Sequence, residues 1–136
     1  MDSGSYFFYD RERKHLEPLA QGQPWLTQDR LAPMETLKIR SRDGVELTAY
    51  LTVPITPGPH PLVLLPHGGP ETRDTYDFDL YAQTLAARGW MVLQPNFRGS
   101  DGYGRSFADA GRRRWGNRMQ EDLEDAVNHV LATGRV

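Results

Sequence analysis

An α/β fold with a parallel sheet is what this sequence predicts, and three observations carry the prediction. Two short all-apolar runs, Leu62-Val63-Leu64-Leu65 and Trp90-Met91-Val92-Leu93, flank a segment with helical spacing. Strand, helix and strand within about 30 residues make a βαβ unit, in which the two strands run parallel. Ahead of it, two segments alternate at period two around Asp43-Gly44, which predicts a β-hairpin.

Taken in order, residues 6–9 are aromatic, and after the charged stretch 10–14 the chain resumes with Leu16 and Leu19, which suits a short hairpin. Residues 20–33 carry Gly22, Pro24 and Pro33 with little periodicity and read as a linker pinned by Trp25 and Leu26. Leu37 and Ile39, then Val45, Leu47, Ala49, Leu51 and Val53, form the alternating strands. Six of the ten prolines fall in residues 54–70 and bracket Leu62–Leu65, which reads as a strand buried on both faces. Phe78, Tyr81, Ala82, Leu85 and Ala86 predict a helix closed by Gly89, and Trp90–Leu93 a second buried strand. A last helix begins near Asn117, with Gln120 placed for a capping box. Met119, Leu123, Ala126, Val127, Val130 and Leu131 form its apolar face. Its acidic residues Glu121, Asp122, Glu124 and Asp125 lie toward the positive end of the helix dipole. Gly134 ends it, and Arg135-Val136 read as the start of a further strand.

The 136 residues amount to one domain or a piece of one. With 38% hydrophobic residues, 25% charged residues and a formal net charge of −2, neither a disordered chain nor a strongly basic nucleic-acid binder is indicated. The absence of cysteine excludes a disulfide framework, cysteine metal sites and a cysteine nucleophile in this chain. No apolar run approaches the ~18–20 residues needed to span a bilayer, and the first residues show neither the basic nor the apolar region of a signal peptide. The expectation is a soluble, cytoplasmic chain without a membrane partner, its oligomeric state left open.

The most informative chemical feature is the turn His67-Gly68-Gly69-Pro70, directly after a short apolar strand and before a helix. A turn without large side chains leaves backbone N–H groups free to face a developing oxyanion. In α/β-hydrolases one oxyanion donor comes from the loop between the third strand and the first helix, and Leu62–Leu65 is third after the alternating pair. Taken without its flanking strand and helix, the tripeptide reads equally as a simple tight turn. Asn96-Phe97-Arg98-Gly99-Ser100-Asp101-Gly102-Tyr103-Gly104 lies at the carboxyl end of the next strand, where open α/β sheets place their sites. Its glycines fail the dinucleotide spacing G-x-G-x-x-G, and no P-loop is present, so no cofactor is indicated.

Five serines are available: Ser3, Ser5, Ser41, Ser100 and Ser106. Gly104-Arg105-Ser106-Phe107-Ala108 half-matches a nucleophile elbow, followed by Asp125 and His129 in suitable order. An elbow needs an apolar strand directly before it, and residues 96–103 are polar and glycine-rich, so this triad is disfavoured. The four histidines, 15, 60, 67 and 129, have no metal-binding spacing. His67 reads as a residue shaping its loop or, nearly as well, as a solvated turn histidine. Arg112-Arg113-Arg114 reads as a solvated face, and Trp90 and Trp115 as core or lid packing.

In sequence, His67-Gly68-Gly69-Pro70, Ala87-Arg88-Gly89-Trp90, Asn96–Ser100 with Gly102-Tyr103-Gly104, and Trp115-Gly116 followed by Met119–Leu123 resemble the prolyl oligopeptidase family. The acylaminoacyl-peptidase branch matches best, and the resemblance covers about residues 34–136. It implies a β-propeller joined to an α/β-hydrolase domain that cleaves short peptides through a Ser-Asp-His triad, without cofactor or metal. Residues 1–19 would then be a propeller remnant, 20–33 the linker, and 34–136 the N-terminal part of the peptidase domain. Carried over residue by residue, Gly69 N–H becomes an oxyanion donor, with His67, Gly68 and Pro70 shaping its loop. Asn96 would contact substrate at the rim, with Arg98 and Tyr103 as loop anchors. In that family the serine elbow follows the next strand and the Asp and His come later, so the fold is truncated before the nucleophile strand and the 136 residues alone are expected to be inactive. A carboxylesterase of the same fold, and a non-catalytic pseudoenzyme or binding fragment, remain as alternatives.

Overall fold

The computed structural model describes residues 3–136, whose strands form two sheets. Strands β1 (Ser5–Asp10) and β2 (His15–Gln21) make an antiparallel hairpin of their own. Asp10 ties its turn, one carboxylate oxygen accepting the N–H groups of Glu12 and Arg13, both at 2.9 Å. Nothing covers the hairpin, and Tyr6, Phe7, Phe8 and Tyr9 are each more than half exposed.

The linker is fastened differently from the expectation. Trp25 is 67% exposed, so burial of its ring does not pin the chain. A polar clamp does so: Gln83 accepts the Ala32 N–H through Oε1 at 2.8 Å and donates from Nε2 to the Ala32 carbonyl at 3.0 Å. Both backbone groups of a buried residue are thereby satisfied far from any strand partner.

Strands β3 (Met34–Arg40) and β4 (Glu46–Thr52) pair antiparallel in unbroken register, from Met34 opposite Thr52 to Arg40 opposite Glu46. Strand β5 (Leu62–Leu64) runs parallel to β6 (Met91–Asn96), which in turn pairs antiparallel with β4, giving the order β3-β4-β6-β5. The double-sided burial expected of β5 belongs to β6 instead. All six β6 residues are buried, whereas β5 has one strand neighbour and is only half-buried.

Helix α1 (Leu80–Ala86) connects β5 to β6 and is capped by Asp79, whose carboxylate accepts the Ala82 N–H at 2.7 Å. Gly89 closes it as expected: with φ at +85°, its N–H reaches Ala86 O at 2.9 Å and the Trp90 N–H reaches Leu85 O at 3.2 Å, a Schellman end. The buried side of α1 carries Ala82, Gln83 and Ala86, while Tyr81, expected on that side, stands in solvent.

Helices α2 (Arg105–Ala110) and α3 (Arg118–Leu131) follow. Asn117 caps α3 through the Arg118 N–H rather than the Gln120 N–H, so the expected capping box does not form. Ala126 and Val130 of α3 join Ile39, Leu47, Ala49, Leu51, Met91 and Leu93 in the core. Two residues depart from the expected apolar face: Leu131 is half-exposed, and Asp122 is fully buried. Trp90 and Trp115, at 45% and 71% exposure, are not core residues; both sit in turns outside the strand and helix they precede. Arg135 starts no strand but bridges Glu35 with two bonds of 2.9 Å, and its carbonyl accepts the His60 N–H. No helix among the described residues is long and apolar enough to cross a membrane.

Candidate active site

Parallel pairing of β5 and β6 brings their carboxyl ends to one edge of the sheet. The turn His67–Pro70 leaves β5 there and the loop 97–104 leaves β6, so two segments far apart in sequence meet. The imidazole of His67 stacks on the Phe97 ring, with centroids 4.6 Å apart and an interplanar angle of 14°. Asp101 N–H donates to Thr72 O at 3.0 Å, tying the loops a second time.

The His67 ring is held at both nitrogens. A carbonyl only accepts, so the 2.9 Å contact of Nδ1 with Gly68 O assigns the proton to Nδ1. Nε2 of the neutral ring then accepts from the Ser100 hydroxyl, also at 2.9 Å. Ser100 is fully buried, and its oxygen lies 2.7 Å from Phe97 O. Gly68 and Gly69 are exposed, and neither N–H donates to another group among the described residues. At Gly69, φ of +123° favours glycine, and a Cβ there would stand 2.8 Å from the Glu71 nitrogen. An apolar recess of about 240 Å³ opens beside the turn between Pro70, Phe97, Trp115, Met119 and Leu123.

Beneath the loop lies an ion-pair centre that the sequence reading did not anticipate. Asp122 accepts the Arg98 backbone N–H at 2.9 Å, its Nε at 2.8 Å and its Nη2 at 2.7 Å. Asp43 takes the other side of the guanidinium with two bonds of 2.8 Å. Arg98 is 6% exposed and Asp122 0%. The Arg98 guanidinium, with help from the Ser41 hydroxyl, holds the Asp43 carboxyl well below the ordinary carboxylate range. The same two carboxylates raise Arg98 above its ordinary value. The loop is further pressed against the end of α2, since a Cβ on Gly111 would come within 2.5 Å of the Gly99 Cα.

Asn96 is fully buried and spends its amide within the chain. Oδ1 accepts the Asp74 N–H at 2.8 Å, and Nδ2 donates to Asp74 O at 3.1 Å and to the Tyr103 hydroxyl at 2.8 Å. The Asp74 carboxyl beside it is pushed up by desolvation and by Asp79, against the opposing influence of His67. Its Oδ2 and the Gln94 Oε1 are buried without partners, although Gln94 Nε2 donates weakly to Asp74 Oδ1 at 3.4 Å.

The disfavoured triad does not assemble. Ser106 is exposed on α2, His129 is exposed on α3, and Asp125 binds Arg42 through its backbone N–H and its guanidinium. Arg112 pairs with Asp109, in keeping with a solvated face. No group of His, Asp and Glu side chains among the described residues is arranged to hold a metal.

Ser100, Asp43 and Asp122 are the residues missed from the sequence. For Asp122 a signal existed: it lies three residues from Met119, four from Ala126 and eight from Val130, in the middle of the apolar stripe. Ser100 and Asp43 carried no comparable mark.

Known proteins share this arrangement. Dipeptidyl aminopeptidase BIII of Pseudoxanthomonas mexicana is 42% identical over 138 residues, covering 95% of this chain and 20% of that protein. A puromycin-hydrolyzing peptidase of Mycobacterium tuberculosis superposes with a TM-score of 0.84 at 26% identity, over 96% of this chain and 21% of its own. An acylaminoacyl peptidase of Pyrococcus horikoshii gives 0.70 at 26% identity, over 76% and 17%. The chain thus spans about a fifth of the length of the proteins it matches, and in them this α/β segment is the N-terminal part of a hydrolase. The family model that matches residues 76–136, which hold α1, β6 and the whole Arg98 loop, is that of the prolyl oligopeptidase family, and to that family the chain belongs.

Proposed function

We propose that the protein carrying this segment is a serine peptidase that hydrolyses short peptides through an acyl-enzyme, and that Gly69 N–H donates to the oxyanion. The observation that carries the reading is the exposed, unpartnered N–H of a glycine whose turn is fixed from both sides. Such a donor costs no reorganisation when negative charge develops on the substrate oxygen. His67, Gly68 and Pro70 shape the turn, and Arg98 and Tyr103 anchor the neighbouring loop. Asn96, buried and bonded to Asp74 and Tyr103, takes a positioning part here rather than a direct contact with substrate.

The serine, aspartate and histidine of the triad would lie in the remaining length typical of the matched proteins, and the 136 residues alone would be inactive. Residues 1–19 are assigned to a preceding β-propeller, a reading supported by the separate, uncovered hairpin. Residues 20–33 form the linker and 34–136 the start of the peptidase domain. A cytoplasmic setting belongs to the same proposal.

A fluorophosphonate probe tests it. The whole protein is expected to be labelled at one serine outside residues 1–136, with release of a chromophore from acylamino-acid or dipeptidyl anilides. Hydrolysis of simple esters alone would favour the esterase alternative. Labelling of the 136-residue chain at Ser106 would overturn the assignment.

A further inference from the structure

We propose that Ser100 is the positioning residue of the oxyanion turn, its buried hydroxyl holding the His67 ring that in turn fixes Gly68 next to Gly69. This rests on the reading of Gly69 as oxyanion donor. Three observations converge on it. The Ser100 hydroxyl is fully buried and meets His67 Nε2 at 2.9 Å, the one polar tie from the β6 loop to that ring. The other nitrogen of the ring restrains the Gly68 carbonyl at 2.9 Å. Ser100 is itself immobilised, because its hydroxyl oxygen sits 2.7 Å from Phe97 O, its N–H donates to the same carbonyl at 3.0 Å, and Arg98 between them is locked to Asp122.

Hydrogen-bond accounting shows what the serine contributes. With Nδ1–H committed to Gly68 O, Nε2 of the neutral ring must accept, and Ser100 supplies the proton. Without that hydroxyl Nε2 has no partner in the chain, the opposite tautomer becomes competitive, and the Gly68 restraint is lost with the Nδ1 proton. The Phe97 ring then holds the imidazole by stacking alone, which fixes its plane but not its rotation within that plane. Ser100 touches neither substrate nor reacting atoms in this scheme and acts through His67.

The test combines kinetics and spectroscopy on the whole protein. Removing an oxyanion donor costs about 10²–10³ in kcat, and loosening one is expected to cost part of that. Ser100→Ala should lower kcat about tenfold and leave KM within about twofold, and Ser100→Thr, which keeps the hydroxyl, should recover part of the loss. In a His67→Ala background the Ser100→Ala substitution should have no further effect, since the two residues act in series. Unchanged kcat in Ser100→Ala, or an equal loss in both backgrounds, overturns the proposal. Imidazole ¹⁵N resonances give a readout independent of activity and of whether the variants fold. Protonation at Nδ1 in the parent protein is expected, and a ring protonated at Nε2 overturns the proposal. A parent protein without acyl-transfer activity would refute the function proposed above, and the tautomer would still decide whether Ser100 sets the ring.

Discussion

Removing the Asp122 carboxylate should be the most damaging single change in the loop's foundation. Asp122→Ala deletes three accepted hydrogen bonds at once, from the Arg98 N–H, Nε and Nη2. Breaking one side of a buried ion pair costs about 3–5 kcal/mol. Asp43 still neutralises the guanidinium through two bonds, which places the loss at the low end, near 3 kcal/mol. The orphaned Arg98 N–H adds about 1 kcal/mol. The sum, about 4 kcal/mol, is a large part of the 5–15 kcal/mol that holds a domain together. With a urea slope of about 2 kcal/mol per molar, the unfolding midpoint of this domain should fall by about 2 M. Asp43→Ala supplies the comparison: its side chain is 29% exposed and water can replace it, so a cost of about 2 kcal/mol is expected. If Asp122→Ala costs less than Asp43→Ala, or less than about 1 kcal/mol, the pair is not the foundation inferred from its geometry.

Four further outcomes follow from the same site. Gly69→Ala must place a Cβ 2.8 Å from the Glu71 nitrogen at a φ of +123°, so kcat should fall by about 10² or more, measured on a chromogenic anilide with the thermal midpoint as a folding control. Ser106→Ala, on the exposed face of α2, should leave both kcat and fluorophosphonate labelling unchanged. Asp43 is held below its ordinary value of 3.8, so the unfolded chain takes up its proton first. Its contribution is therefore complete above about pH 4 and lost as pH falls further, and the stability difference between the parent and Asp43→Asn should shrink on acidification. Asp74 has the opposite sign: its carboxyl is raised, so ionisation above its folded value destabilises the native state. Asp74→Asn supplies a donor beside the unpartnered Gln94 Oε1 and should stabilise by about 1 kcal/mol at pH 7, a gain that disappears near pH 4.

What could be read from the sequence was whatever repeats or stands next to its cause. Alternation at Leu47, Ala49 and Leu51 fixed the face that β4 buries, because a strand's side chains change sides at every residue. Gly89 announced the helix end because few other residues adopt its φ of +85°. Burial in β5 was overread, since an apolar run of four residues shows affinity for a core and not how many neighbours the strand receives. That number depends on sheet order, and order is a property of distant segments. The linker failed for a related reason. Trp25 had the composition of an anchor, while the clamp at Ala32 is Gln83, a polar residue 51 positions away, chosen by its reach and not by its hydropathy.

The acidic residues of α3 show most directly why the site's support was hidden. Taken by position on the helix, Glu121, Asp122, Glu124 and Asp125 look like one group facing the dipole. Taken by partner they divide among three cations: Glu121 binds Arg118, Glu124 and Asp125 bind Arg42, and Asp122 binds Arg98. Pairs near the surface are worth at most about 1 kcal/mol, so the first two attachments add little by themselves. Asp122 differs only in direction: a rotation of 100° per residue carries it to the side shared by Met119, Ala126 and Val130. A carboxylate in that stripe cannot remain unpaired, so its presence demands a buried cation. The nearest arginine with a backbone N–H to offer lies on the loop leaving β6. A helix packed under the sheet thus determines where the loop above it sits, and through Ser100 and His67 it reaches the glycine turn on the neighbouring strand.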